Sequence, residues 1–147
     1  MDTNYSIYEG LCTKIMRKKR LHESLVEALH KDDYNLSKEL IDSEADINGI
    51  DKYGDSVLIT AVIYGDIEKI NFLAQFTPDL TILDRFGKTA LEIAEDRSFW
   101  LNVPSKKYIE ITNYLKMMKQ YQYICSSNKE LKSENEFEKT IIISKLL

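Results

Sequence analysis

Residues 51–83 read DKYGDSVLITAVIYGDIEKINFLAQFTPDLTIL, and residues 84–96 begin the same pattern again as DRFGKTALEIAED. An offset of 33 residues superposes Asp51 on Asp84, with chemically matched side chains after them. The further matched pairs are Gly54 and Gly87, Ser56 and Thr89, Leu58 and Leu91, and Ala61 and Ala94. A fixed period of this length is typical of a repeat architecture. The stretch therefore predicts a stack of short, similar units.

The same interval leads back to an earlier copy of the unit. Leu25, Ala28, Leu40, Asp46, Ile47 and Ile50 fall on Leu58, Ala61, Leu73, Asp79, Leu80 and Leu83. Three registers of one pattern are thus present. Because one such unit cannot bury its apolar face alone, the core must form where neighbouring units stack.

The repeated positions carry residues that begin and end helices. Gly54 and Gly87 stand where a tight turn needs a positive φ. Ser56 and Thr89 can cap helix N-termini, and Asp66 can cap a second helix directly after Gly65 has ended the first. Within that second helix, Ile67, Ile70, Leu73 and Ala74 share one face. Each unit is therefore predicted to be a helix-turn-helix, and the fold all-α.

The period and these residues resemble the ankyrin repeat, whose turn and first helix read D-x-x-G-x-T-P-L-H-x-A-A-x-x-G and whose end reads G-A-D-x-N. Residues 51–65 match the first part and residues 44–48 the second. The resemblance implies a short solenoid of about three repeats, at 21–50, 51–83 and 84–125. It departs at the Pro and His of the consensus, where Val57 and Ile59 stand instead, so the family's His-mediated bonding between repeats is not expected.

The third repeat and the chain ends depart from the regular pattern. After Ala94 about eight residues are inserted, which predicts a longer first helix ending in a loop at Pro104. Residues 1–20 are predicted to form an N-terminal capping helix that packs through the residues Tyr8, Leu11, Cys12 and Ile15. A C-terminal helix of about 106–124 presents Tyr108, Ile111, Leu115 and Met118. Residues 126–147 read as a polar linker followed by an apolar tail.

Charge is unevenly distributed along the 147 residues. Residues 1–20 carry a net charge of +3, residues 21–97 carry −10 and residues 98–147 carry +3. An acidic centre disfavours nucleic-acid phosphates and favours a partner protein with a basic surface. The alternative is that acidic turns and helix starts only keep the protein in solution. No apolar run is long enough to cross a bilayer, so neither a nucleic acid nor a membrane is an expected partner.

No group of residues matches a catalytic or metal-binding pattern. The sequence has no phosphate-binding glycine loop with its lysine, no GxSxG, no HExxH and no calcium loop. His22 and His30 are interpreted as helix-surface residues, and Cys12 and Cys125 as free thiols in a reducing compartment, with a structural disulfide between them as the alternative. The protein is therefore predicted to be non-enzymatic, without cofactors or metals.

The resemblance implies a concave binding face made of turn tips and first helices. These positions are Lys52, Tyr53, Asp55, Ile63 and Tyr64 in the second repeat, Arg85, Phe86, Lys88, Asp96 and Arg97 in the third, and His30 and Lys31 in the first. Tyr53 and Phe86 occupy the same turn position, where they either anchor a partner or pack against their own turns. Trp100 is either a further contact or a core residue.

Two functions follow from these features. The first is a protein-binding module, monomeric when free, acting in the cytoplasm as an adaptor or inhibitor, for example an immunity-type protein that masks a basic toxin. The alternative is an effector that a bacterium delivers into a host cell by type IV secretion, where it binds a host protein. Glutamates at 130, 134, 136 and 138 before a leucine-rich end resemble the carboxy-terminal export signals of type IV effectors, and this resemblance favours the effector, whereas a tail docked on the third repeat would be structural.

Overall fold

A computed structural model of the chain describes residues 3–99 and 105–127. It contains the helices α1 (Thr3–His30), α2 (Tyr34–Asp42), α3 (Val57–Tyr64), α4 (Ile67–Ala74), α5 (Ala90–Ser98) and α6 (Lys106–Ser127). Strand-like pairing within these ranges is confined to two isolated bridges, Ile50 with Ser56 and Leu83 with Thr89. The all-α prediction is confirmed, and none of the described helices is long and apolar enough to cross a membrane.

The middle helix pair forms where the sequence predicts it. The Ser56 hydroxyl accepts a hydrogen bond from the Ile59 amide at 3.3 Å, which caps α3. Gly65 ends α3 in the left-handed region with φ 65°, and the Asp66 carboxylate then caps α4 by accepting from the Lys69 amide at 3.0 Å. Only Gly65 and Asp66 join α3 to α4, and the two helices contact each other as an antiparallel pair would.

The 33-residue period recurs in the backbone geometry as well as in the sequence. Asp33 caps α2 as Asp66 caps α4, and each follows a residue of positive φ, Asp32 at 56° and Gly65 at 65°. The same correspondence links Glu44 at φ 71° with Thr77 at φ 49°. These pairs stand one period apart, so residues that differ chemically adopt the same conformation in successive repeats.

The chain folds into two compact units, Met1–Ala90 and Leu91–Leu147. The core of the first unit takes side chains from α1, α3 and α4 at matched positions. These buried residues are Leu25, Ala28, Leu29, Leu58, Ile59, Ala61, Val62, Ile70 and Leu73. Tyr34 of α2 lies with its ring centroid 4.9 Å from that of Phe72 of α4, and the Asn48 side chain accepts a hydrogen bond from the Asp79 amide at 2.9 Å. Within this unit, successive repeats of the sequence therefore contact each other through helices and loops alike.

The N-terminal helix differs from its prediction in two ways. It does not end near residue 20 but continues to His30, because Leu21 stands where Gly54 and Gly87 turn the chain in the later repeats. Without that glycine nothing interrupts the helix. The predicted packing of its apolar stripe is also wrong, since Tyr8, Leu11, Cys12 and Ile15 are all exposed.

His22 is not the surface residue that its helical position indicated. It is half-buried, its Nδ1 lies 2.8 Å from the carbonyl oxygen of Asp46, and its Nε2 is buried without a hydrogen-bond partner. A β-carbon on Gly49 would lie 2.6 Å from the ring. The histidine thus fills the space between α1 and the loop after α2.

The second unit contains most of α5 and all of α6. Ile111 and Leu115 of α6 are buried while Tyr108 and Met118 are half-buried, which confirms the predicted C-terminal helix and its stripe. The prediction that the insertion lengthens the first helix of the third repeat is wrong. Helix α5 ends at Ser98 and has nine residues, only one more than α3. Trp100, the loop at Pro104 and the tail 128–147, with its proposed export signal, lie outside the described residues.

Candidate protein-binding surface

Two turns of nearly identical geometry precede α3 and α5. In the first, the Asp51 carboxylate accepts hydrogen bonds from the amides of Tyr53 at 2.8 Å and Asp55 at 3.1 Å. In the second, the Asp84 carboxylate accepts from the amides of Phe86 and Lys88, both at 2.8 Å. Each turn closes with a glycine at positive φ. Since the aspartate fixes the backbone on both sides of the aromatic residue, the two tips are held in one conformation.

The two turns lie side by side. A β-carbon built on Gly54 would be 3.9 Å from the β-carbon of Arg85, which is ordinary van der Waals contact. The charges of Asp84 and Arg85 also act on the pKa of Asp55 in the neighbouring turn. The turn tips of successive repeats therefore form one continuous strip of surface.

The aromatic residues at the tips are exposed. Tyr53 is 55% exposed and Phe86 is 74% exposed. Each ring is accompanied by the preceding basic residue, with Lys52 Nζ 5.0 Å from the Tyr53 centroid and Arg85 Cζ 5.1 Å from the Phe86 centroid. These contacts leave most of both rings in water, so each tip presents a large apolar side chain next to a cation.

A groove of about 250 Å³ runs beside the first of these turns. The floor of the groove is apolar, and acidic side chains from the turn and from the start of α4 surround it. The lining residues are Val26, Leu29, His30, Asp51, Asp55, Val57, Thr60, Ala61, Tyr64, Asp66 and Lys69. An apolar surface with a few polar groups around it is typical of binding sites.

Electrostatics make the groove suited to a cation. Burial, and after it the charge of Asp51, raises the pKa of Asp55, and one of its carboxylate oxygens is buried without a hydrogen-bond partner. The cation in the groove, Lys69, is already bound by Asp66 at 3.0 Å and Asp32 at 3.1 Å. Burial would lower its pKa, but these two partners outweigh burial and raise it. The lysine therefore stays charged and paired, and a further cation placed beside Asp51 and Asp55 would relieve the repulsion that acts on Asp55.

The structure brings most of the sequence-predicted positions to one unit. Tyr64 is exposed and lines the groove together with His30, and Lys52 and Lys88 are exposed in the two turns, whereas Ile63 is half-buried. Lys31 forms a surface ion pair with Glu27 at 2.6 Å.

Two predicted residues belong to the second unit. Asp96 and Arg97 lie on α5, where Asp96 is exposed and Arg97 is half-buried. The guanidinium of Arg97 donates to the Tyr108 hydroxyl at 3.3 Å and lies over its ring. Arg97 therefore joins α5 to α6.

Sequence reasoning missed several residues of the groove. Thr60, Asp66 and Lys69 line it, and Val26 and Leu29 of α1 close its other side. Asp66 was predicted only as a helix cap. The spacing from Asp66 to Lys69 places both on one side of α4, and that signal was available in the sequence. The pairing with Asp32 was not, because it joins residues of different repeats.

Comparisons with known protein families and with curated proteins found no match to this chain. The surface itself therefore carries the functional argument.

Proposed function

We propose that this chain is a non-enzymatic protein-binding module of the ankyrin-repeat type, and that it binds a basic region of a partner protein. The observation that carries the proposal is the pair of exposed aromatic side chains, Tyr53 and Phe86, held by identical aspartate turns one repeat apart. Aromatic residues with a rigid backbone beneath them are the usual anchors of protein interfaces.

The ankyrin assignment itself rests on the period and on the conformations that repeat with it. Helix caps, positive-φ residues and aspartate turns recur at 33-residue intervals through the first unit. Short tight turns join α1 to α2 and α3 to α4, and the turns before α3 and α5 adjoin. A solenoid of stacked units would have this local structure.

The groove next to Tyr53 gives the partner its chemical character. It places Asp51 and Asp55 around an apolar floor, and it keeps its lysine paired. An arginine or lysine side chain of the partner would bury its alkyl stem on the floor and place its charge against the two carboxylates. A basic partner also agrees with the net charge of −10 on residues 21–97, which would speed the encounter.

The test uses the purified chain as bait against lysate of its native cells, with captured proteins quantified by mass spectrometry. The variant Tyr53→Ala/Phe86→Ala is compared with Tyr123→Ala, which removes a tyrosine of α6 that is 72% exposed. The captured protein is then purified and its affinity measured by calorimetry. Removing both anchors is expected to weaken binding by roughly 1,000-fold, at about 2 kcal/mol per anchor, and the α6 variant to change it little.

Two results would contradict the proposal. One is an unchanged affinity in the double variant, which would show that the turn tips are not the binding surface. The other is an affinity insensitive both to Asp55→Asn and to added salt, since a basic partner in the acidic groove must lose attraction under both changes.

A further inference from the structure

The N-terminal half of α1 has no packing partner in the part of the chain that the structure describes. Every residue from 7 to 20 is exposed, whereas Leu25, Ala28 and Leu29 further along the same helix are buried. Fourteen helical residues extend for about 21 Å. Isolated helices of this length are only marginally stable in water, so a face without contacts is expected to gain stability from a surface that covers it.

Residues 7–17 of the exposed segment divide into an apolar and a polar half. At about 100° per residue, six apolar side chains fall within one half of the helix circumference. They are Ile7, Tyr8, Leu11, Cys12, Ile15 and Met16, of which the five large ones are 53 to 66% exposed. The opposite half carries Glu9, Gly10, Thr13, Lys14, Arg17 and Arg20. Lys18 and Lys19 lie on the apolar side, in the turn that follows Ile15 and Met16.

Charge identifies the surface that this face fits. The segment 7–20 carries five cations and one anion, in contrast to the acidic residues 21–97. A second copy of the same helix would bring like charges together. Anionic phospholipid headgroups would instead pair with the cations, while the apolar half enters the boundary between headgroups and acyl chains.

We propose that residues 7–20 form an interfacial helix that binds membranes containing anionic phospholipid. Tyr8 has the amphipathic ring that favours this boundary, and the lysines and arginines can extend along the helix to reach the phosphates. The expectation that no membrane is a partner rested on the absence of a spanning segment. That absence does not bear on a helix lying in the plane of the surface.

The experiment measures co-sedimentation of the full chain with vesicles of phosphatidylcholine alone and of phosphatidylcholine with about 30% phosphatidylserine. Partitioning is expected to rise roughly tenfold or more with the anionic lipid and to fall again in high salt. Helical content, followed by circular dichroism, is expected to rise on binding because the exposed half of α1 gains a surface.

Matched variants separate the two halves of the helix. Leu11→Gln/Ile15→Gln removes apolar side chains without changing charge, and Arg17→Glu/Arg20→Glu reverses charge on the polar half without touching the apolar half. Both are expected to abolish the lipid-dependent gain. Thr13→Gln is the control, because it introduces glutamine on the polar half of the helix. The Thr13 hydroxyl donates to carbonyl oxygens of its own helix, so this variant should bind vesicles like the unmodified chain.

Three results would overturn the proposal. The first is no difference between the two vesicle compositions, and the second is equal partitioning of the Leu11→Gln/Ile15→Gln and Thr13→Gln variants. The third is a concentration-dependent dimer in light scattering that Leu11→Gln/Ile15→Gln dissolves, since it would assign the face to a second copy. Because Tyr53 and Phe86 take no part, the result is independent of protein binding by the turns.

Discussion

Gly49 shows how one residue can be fixed by a contact that lies far away in sequence. The ring of His22 lies where a side chain on Gly49 would begin, and the ring is held by the carbonyl oxygen of Asp46. Neither neighbour in the chain requires a glycine there. The requirement comes from the packing of α1 on the loop that follows α2.

We expect Gly49→Ala to destabilise the protein by about 1–3 kcal/mol, because the added methyl group overlaps the ring and forces it from the Asp46 carbonyl. The free energy of unfolding from urea titration measures the loss. Gly10→Ala is the matched control, since that position is in an exposed helix with open space around it. There the same change should raise helical content by circular dichroism. Equal effects at both glycines would refute the proposed overlap.

Asp55 should couple stability to pH. Burial and the nearby Asp51 raise its pKa, so the folded state binds this proton more tightly than the unfolded state does. Its contribution to stability therefore decreases as pH rises from the unfolded pKa of about 3.9 through the raised folded value. We expect Asp55→Asn to raise the melting temperature at pH 7 and the difference from the unmodified chain to shrink towards pH 3. A difference independent of pH would exclude a role for ionisation.

At the scale of the element, aspartate side chains stabilise the helix starts and the turns by accepting hydrogen bonds from backbone amides. Asp66 has two roles at the start of α4, since one oxygen caps the helix through the Lys69 amide and the other pairs with the Lys69 ammonium. The two roles can be separated by the choice of substitution. Asparagine keeps an oxygen for the cap but carries no charge, and alanine provides neither.

We expect Asp66→Ala to lower the free energy of unfolding by about 1–2 kcal/mol and Asp66→Asn by about 0.5 kcal/mol. Lys69 keeps Asp32 as a partner in both variants, which limits the electrostatic loss. Urea titration at low and high salt provides the measurement, because only the ion-pair part is screened. If asparagine proved as damaging as alanine, the cap would contribute nothing.

At the scale of the whole molecule, stability should be distributed unevenly along α1. Residues 7–20 are exposed throughout, and the core begins only at Leu25. Amide hydrogen exchange is expected to be fast in the first half of this continuous helix and slow from residues 25 to 30. The slow amides should follow those of α3, which shares the same core. Uniform protection along the helix would show that the exposed half is covered.

The sequence predicted the local structure well because its signals are local. Gly54, Gly65 and Gly87 adopt positive φ, and Ser56 and Asp66 cap their helices, as expected from residue type and spacing alone. Ile70 and Leu73 are buried where periodicity placed them. The absence of a turn glycine at Leu21 was also readable, and it accounts for the uninterrupted α1.

What the sequence determined by itself is therefore the helix pair, its caps and its turns, since each depends on hydrogen bonds within a few residues. Only the tertiary structure decided which apolar faces are covered. The same periodicity marks the first half of α1 and α6, yet one is exposed and the other buries Ile111 and Leu115. It also decided the groove, where Asp55 and Tyr64 meet Val26 and Lys69. Burial and charge pairing depend on residues distant in the chain, and an amphipathic pattern does not specify its partner.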